Sequence, residues 1–234
     1  MISVVIPTLN SEATLAATLG ALVPAAVVGL VREVVVVDGG STDRTAEIVD
    51  QAGAQMLRKS GGRGYQLAVG AMRTRQPWLL FLHGDTVLEP GWESEASLFM
   101  ERIDTKARPP SAAAFRFALN DIGARPRLLE RMVAVRCALL RLPYGDQGLL
   151  IPRHLYDEVG GYRPLPLMED VDLVRRLGRR RVTMLGARAV TSAARYQSDG
   201  YLRRSTRNLL CLTLYAVRVP TKVISAIYGR GRSA

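Results

Sequence analysis

Apolar runs and amphipathic stretches alternate along the first hundred residues. Val34–Val37 and Trp78–Leu82 are apolar at every position, and Ile2–Ile6 at every position but Ser3. Strands of that kind are buried on both faces, as in parallel sheets, whereas half-exposed strands alternate. Between them, Ser11–Val23 and Thr42–Ala52 carry apolar residues at helical spacing, and Leu67–Met72 reads as helix too. Asn10 or Ser11 is the expected N-cap of the first helix, and Asp43 sets a carboxylate near the positive end of the second. The order β-α-β-α-β predicts a doubly wound α/β layer.

The pattern loosens after residue 103. Residues 104–111 contain two adjacent prolines and read as a flexible boundary. Ala112–Leu119 is predicted as an edge strand, Leu128–Leu140 as a helix and Leu149–Ile151 as a short strand. His154–Val159 is a short helix stopped by Gly160 and Gly161. Glu169–Leu177 is helical, Arg181–Leu185 a strand, and Tyr201–Val217 a long last helix halted by Pro220. No internal repeat is evident.

The chain has 234 residues, 48% of them hydrophobic, enough for a sizeable core. Its net charge is +11, and lysine occurs only at Lys59, Lys106 and Lys222, so the excess is almost all arginine. Such a balance suits phosphorylated ligands or an anionic membrane face. Cys137 and Cys211 are far apart and fit neither a metal spacing nor a disulfide framework, which points to a reducing compartment. The opening "MISVVIPTLN" lacks the basic region of a signal peptide and reads as a first strand. No segment reaches the roughly 18 uncharged apolar residues of a membrane span.

Three of the predicted strands end in polar residues: "PTLNSE", "DGGSTD" and "HGDT". Ligands of open α/β sheets bind at the carboxyl ends of strands, and parallel neighbours bring these three ends into one crevice. Asp38 can accept hydrogen bonds from a ribose or a base. Dinucleotide binding is disfavoured, because no G-x-G-x-x-G follows the first strand. The loop "KSGGRGYQLAVG" is basic and glycine-rich, so its backbone N–H groups and Arg63 suit phosphates, although it is not a P-loop. Asp85 is placed to ligate a divalent cation, since Mg²⁺ takes one or two carboxylates and completes its shell with phosphate oxygens and water. His83 is placed to hydrogen-bond a nucleotide or assist that metal. In "PLMEDVDLVRRL", Val171, Val174 and Leu177 form a buried stripe. Asp172 can pair with Arg175 or Arg176 along the helix. Glu169 and Asp170 open the helix, where they either stabilise its dipole or supply a general base.

In order and spacing, "VVIPTLN", "VVVVDGGSTDRT", "FLHGDT" and "MEDVDLVRRL" resemble family 2 glycosyltransferases of the GT-A (nucleotide-diphospho-sugar transferase) fold. The bacterial radical-SAM/selenodomain-associated transferase 2 subgroup is similar also in "GRGYQ", "PYGDQGLLI" and "DGYLRRSTRN". The resemblance covers nearly the whole chain. It implies a mostly parallel central sheet with helices on both faces, a UDP- or GDP-linked sugar donor, Mg²⁺ or Mn²⁺, and inversion at the anomeric carbon. By the same resemblance Thr8 and Asp38 hold the nucleobase and ribose, Arg63 lies near the diphosphate, Asp85 is the metal ligand and Asp170 the base. The matching motifs add Pro7, Asn10, Gln66, His83 and Gly84 on the donor side. They put Asp146, Gln147, Glu169 and Asp172 beside the acceptor or behind the base. Residues 1–200 would form the transferase domain, with a nucleotide-binding half (1–103) and an acceptor-side half (112–200).

The chain departs from the family at His83, which replaces the first acid of the D-x-D motif, and at Ala68, where the subgroup more often has asparagine. The Q-x-x-R-W motif of processive members is reduced to Arg195-Tyr196, which disfavours polymer synthesis and leaves the acceptor unidentified. The reduced D-x-D keeps a catalytically degenerate, nucleotide-binding or membrane-surface protein as the alternative. Nucleic acid is not an expected partner, because acids cluster at the strand and helix starts. The segment 201–234 combines Arg203, Arg204 and Arg207 with the apolar stretch Leu209–Val217 and then Arg218, Lys222, Arg230 and Arg232. It is expected to lie on a membrane surface, where a lipid-linked acceptor would be found, or to form a homodimer. The expected location is cytoplasmic, at the inner membrane face.

Overall fold

The computed structural model of the chain describes residues 1–229. Eight strands form one sheet: β1 (Ile2–Thr8), β2 (Val31–Asp38), β3 (Gln55–Arg58), β4 (Trp78–Phe81), β5 (Thr86–Leu88), β6 (Ala112–Leu119), β7 (Leu149–Pro152) and β8 (Val182–Thr191). Their order across the sheet is 3-2-1-4-7-6-8-5. β3, β2, β1 and β4 are mutually parallel, as continuous apolar runs require. β7 runs antiparallel to β4 and β6, β6 is parallel to β8, and β5 is antiparallel to β8.

The helices are α1 (Leu15–Gly20), α2 (Val23–Val27), α3 (Thr45–Gln51), α4 (Arg63–Arg73), α5 (Trp92–Asp104), α6 (Ala124–Leu140), α7 (Arg153–Glu158), α8 (Glu169–Leu177), α9 (Ala194–Asp199), α10 (Tyr201–Ala216) and α11 (Thr221–Gly229). They cover both faces of the sheet. On one face Val4, Ile6, Trp78 and Leu80 pack with Leu15 and Leu19 of α1 and with Trp92 and Phe99 of α5. On the other, Val5, Val35, Leu79 and Phe81 meet Leu67 and Ala71 of α4 and Val171 and Val174 of α8. α4 lies directly on the strands: a methyl group on Gly70 would come within 2.3 Å of Val5 Cγ1.

The sheet must curl. β4 and β5 stand four positions apart in it, roughly 19 Å in a flat sheet. Yet only Leu82–Asp85 connect them, and those residues include a turn in which Thr86 N–H donates to His83 O at 3.2 Å. Five residue steps reach at most about 18 Å when fully extended. The far edge therefore swings round toward β4, and the Leu82–Asp85 connection closes the curl.

Several sequence expectations are corrected. Ser11–Val23 is not one helix. Ser11 O accepts from Thr14 and Leu15 N–H in a turn, Thr14 holds the N-cap position, and Pro24 starts a separate helix. Asn10 and Ser11 instead bind the β2–α3 loop, their N–H groups donating to Ser41 Oγ and Thr45 Oγ1. Ala112–Leu119 is an interior strand, between β7 and β8, because every residue except Arg116 is buried. Residues 104–111 are tied down: Asp104 accepts from Trp78 Nε1 at 3.2 Å, and Arg108 donates to Thr183 Oγ1 at 2.8 Å. The strand expected at Arg181–Leu185 continues to Thr191. β3, β5, α5, α9 and α11 were not anticipated, and Arg230 and Arg232 lie outside the described residues.

Candidate active site

β1, β2 and β4 are adjacent and parallel, so their carboxyl ends do meet. At the end of β2 Asp38 is almost fully enclosed. Its Oδ2 accepts from Gly40 and Ser41 N–H at 3.0 and 2.8 Å, while Oδ1 accepts from Thr8 Oγ1 at 3.2 Å and from the Ser41 hydroxyl. Burial alone would raise this carboxyl, but the hydrogen bonds from Ser41, Gly40 and Thr8 outweigh it and lower its pKa. Gln66, buried on α4, donates its amide to Thr8 O at 3.0 Å and Val37 O at 2.8 Å, joining the two strand ends. Pro7 pairs with Val37 inside the sheet. Asn10 adopts a left-handed conformation (φ 51°) and accepts from Thr42 N–H. Gly84 lets the β4–β5 connection approach β1, since a methyl there would lie 3.2 Å from Thr8 Cγ2.

Beside this closed network lies an open pocket of about 830 Å³, including the part open to solvent. Arg63, His83, Asp85, Asp146, Glu169 and Asp170 all line it. Asp85 follows the turn that ends β4, and its carbonyl accepts from Ser192 N–H at 3.0 Å. Asp146 sits in a single turn before β7, held by Thr191 Oγ1, which donates to Asp146 O at 3.1 Å. Glu169 and Asp170 open α8 behind Met168, whose left-handed backbone (φ 67°) aims the helix start at the pocket.

The acids are crowded and short of donors. Asp146 Oδ1 is buried without a hydrogen-bond partner. Burial raises the Asp146 carboxyl to about 6, with Asp170 and Asp85 adding repulsion against the relief from Arg136. Glu169 is raised to about 7 by burial and then by the Asp170 charge, although Arg63 NH1 lies 3.7 Å from its Oε1. Arg63 itself is raised: burial opposes its charge, but Glu169, Asp170 and Asp85 more than compensate. His83 is held well below its usual value by burial and by Arg63 and Arg195, so it is neutral at pH 7. Asp170 Oδ2 accepts from Gly145 N–H at 2.6 Å and Oδ1 from Val171 N–H at 2.7 Å. A methyl on Gly145 would fall 2.5 Å from His83 Nε2 and 3.4 Å from Asp170 Oδ2, so only glycine permits this packing.

Of the four residues expected beside the acceptor or behind the base, two do not line the pocket. Asp172 faces away from the pocket, pairing with Arg176 at 2.7 Å and accepting from Tyr215 OH at 3.2 Å. Gln147 is buried, donating to Phe115 O and accepting from Arg136 and Tyr144 N–H, and so shapes the Asp146 turn. Conversely, the pocket gains Tyr144, Thr191, Arg195, Tyr196, Arg204, Asn208 and Tyr228. The last three come from α10 and α11, so the segment read as a membrane or dimer helix forms a pocket wall. Its signal in the sequence was the cluster of arginines and tyrosines around residues 195–207, read only as a remnant motif and a basic flank.

Among the described residues no three His, Cys, Asp or Glu side chains are grouped closely enough to hold a metal alone. The residues nonetheless fit a cation that arrives with a diphosphate. Among the described residues Asp85 has only Arg195, at 4.0 Å, as an ion-pair partner, His83 is neutral, and Asp146 Oδ1 has no donor. Hard cations of this type take such oxygens and complete their shell from phosphate and water.

A curled, mostly parallel sheet sandwiched by helices, with its acids at the carboxyl end, is the fold of GT-A glycosyltransferases. Residues 3–108, a little under half of the chain, match the sequence profile described as Glycosyl transferase family 2. Solved structures agree on the fold. S. aureus TarS 1–349 superposes with a TM-score of 0.61 at 18% identity, over 97% of this chain and 68% of that one. Its complex with UDP-GlcNAc gives 0.61 at 18%, over 98% and 71%. Glucosyl-3-phosphoglycerate synthase from Mycobacterium tuberculosis, in complex with Mn²⁺, UDP and glucosyl-3-phosphoglycerate, gives 0.51 at 23%, over 82% and 70%. The chain spans 42% of a longer TarS structure. No curated protein matches significantly in sequence.

Proposed function

We propose that the protein is an inverting glycosyltransferase that moves a sugar from a UDP- or GDP-linked donor to a small or lipid-linked, non-polymeric acceptor, with Mg²⁺ or Mn²⁺. The observation that carries this reading is the convergence of Arg63, Asp85, Asp146, Glu169 and Asp170 on one pocket beside the Thr8–Asp38–Gln66 strand ends. The nucleoside is assigned to the strand-end wall, which enclosed Thr8 and Asp38 shape from within and exposed Asn10 borders. Arg63 is placed to neutralise the diphosphate. A cation on Asp85, with His83 and Asp146 at hand, would stabilise the negative charge of the departing nucleotide. Asp170, oriented by Gly145 N–H, accepts the proton of the acceptor hydroxyl. A single base on the face opposite the leaving group is what inversion needs. Glu169, next to Asp170, faces Arg63 at 3.7 Å.

The neighbours support the donor class: TarS 1–349 is seen in complex with UDP-GlcNAc, and the mycobacterial synthase with Mn²⁺, UDP and glucosyl-3-phosphoglycerate. No helix of the described residues is long and apolar enough to cross a membrane. A cytoplasmic site at the inner membrane face remains our placement, supported by two buried, unpaired cysteines. His83 in place of the first acid of the D-x-D motif favours one second reading, a degenerate domain that binds nucleotide without turning it over. Thermal unfolding with UDP- and GDP-sugars, with and without Mn²⁺ or Mg²⁺, separates the two. A transferase is stabilised by one donor in a metal-dependent way, the stabilisation is lost in Asp85→Asn, and the same donor is slowly hydrolysed. Stabilisation that ignores both metal and Asp85 would refute the assignment.

A further inference from the structure

The outward face of α6 is apolar. At 3.6 residues per turn, Leu128, Met132, Val135 and Leu139 fall within a strip about 60° wide. They are 60, 57, 57 and 70% exposed, and Ile122, just before the helix, is 98% exposed. The opposite side of the helix is also apolar, with Pro126, Val133 and Cys137 buried against β6 and its neighbours. A surface helix ordinarily turns charged residues outward along the line that these four side chains occupy. A contiguous exposed apolar strip of this kind marks an interaction surface.

Charge says what it meets. Arg125 and Arg131 are exposed and flank the strip on either side. The helix has one acid, Glu130, which is turned toward the body, accepting from Leu119 N–H at 2.8 Å and pairing with Arg127 at 2.6 Å. The outward face thus offers apolar side chains and cations, with no anion. A second copy would set arginine against arginine with nothing to neutralise them. We infer that this face of α6 docks on an anionic lipid surface, its four apolar side chains entering the headgroup boundary while Arg125 and Arg131 reach lipid phosphates.

The position suits a lipid-bound substrate. Arg136, on the flank of the same helix, lies over the Tyr144 ring at 3.5 Å and donates to Gln147 Oε1 at 3.1 Å. Tyr144 lines the pocket, so the docking face and the Asp146 turn share one helix. The inference stands apart from the transferase reading, because its test measures lipid and not turnover.

The test is flotation of the full chain with vesicles of phosphatidylcholine, alone or mixed with phosphatidylglycerol. The wild type should float with the mixed vesicles at low salt and stay down with phosphatidylcholine alone. Met132→Glu/Val135→Glu should lower the bound fraction at least about tenfold with an unchanged melting curve, since both side chains are exposed. Leu209→Glu/Leu210→Glu, on α10, should float like the wild type. If the α6 pair unfolds, Arg125→Ser/Arg131→Ser gives the same reading without touching an apolar residue. The inference is overturned if the wild type does not float. It is overturned equally if the α6 variants float normally, if only the α10 pair sinks, or if the wild type is a lipid-free dimer that the α6 pair turns into a monomer.

Discussion

The two walls of the cleft are built on opposite principles. At the ends of β1 and β2 every polar group is matched: Asp38 accepts four hydrogen bonds, and both amide hydrogens of Gln66 are assigned to strand carbonyls. A few ångströms of chain away, across the Leu82–Asp85 connection, Asp146 has a buried oxygen with no donor, and Glu169 and Asp170 repel each other. A satisfied buried network adds rigidity, whereas an unsatisfied one costs stability unless something else completes it. The first wall is a scaffold that needs no ligand to hold its shape. The second is short of hydrogen-bond donors, and it is where the proposed function puts a cation, a diphosphate and the acceptor hydroxyl.

The largest expected effect breaks the second wall. Asp170→Asn should lower turnover by about 10²–10⁴ while nucleoside diphosphate affinity, measured by calorimetry, stays near wild type. Turnover retained in that variant would move the base to Glu169 or Asp146. Next comes the scaffold. Gln66→Ala leaves Thr8 O and Val37 O without their buried donor, so denaturant unfolding should show a loss of about 1–3 kcal/mol with a fall in kcat much smaller than that of Asp170→Asn. An Asp170-sized fall in a still-folded variant would mean that the first wall is chemical too.

The smallest effect concerns pH. Glu169 is raised to about 7, above its unfolded value near 4.5, so the folded protein holds a proton that the unfolded chain releases. Stability from that proton is complete below about pH 4.5 and is lost as pH rises through about 7. Glu169→Gln should therefore melt higher than wild type at pH 8, and the gain should shrink to nothing toward pH 4.5. A constant difference across that range would show that Glu169 is not raised in the folded protein.

The first wall was the more legible in sequence. Continuous apolar runs determine β1, β2 and β4, and parallel pairing then forces Thr8, Asp38 and His83–Asp85 together without further information. Asp170 was legible because Val171, Val174 and Leu177 fix which side of α8 is buried. What periodicity cannot show is curvature. Nothing local in Ala112–Leu119 says that β7 and β8 will flank it, and nothing in Thr86–Leu88 says that three residues will pair with Thr191 at the far edge. The roles of Arg195, Arg204 and Tyr228 depend on how α9 to α11 return across the cleft, a tertiary matter. Asp172 was legible as a helix-surface partner of Arg176, and it lies beside that residue on the opposite flank of α8 from the pocket.

The curl also sets an order of events. Asp85 reaches its place only when Thr86 pairs with Thr191, 105 residues later, and when Ser192 N–H reaches Asp85 O. Contacts at such separation require closure of a long loop before they return any stabilisation, and they form slowly for that reason. Thr191 in turn holds the Asp146 turn, so both carboxylates await the same ladder. In refolding, burial of Trp78 against Phe99, an early and more local pairing, is expected to precede recovery of nucleoside diphosphate binding. Simultaneous recovery of the two signals would show that the sheet closes in one step. On the expected order, a newly made chain would pass through a state with a finished nucleotide wall and no working acid cluster, unable to cleave a donor before the acceptor side exists.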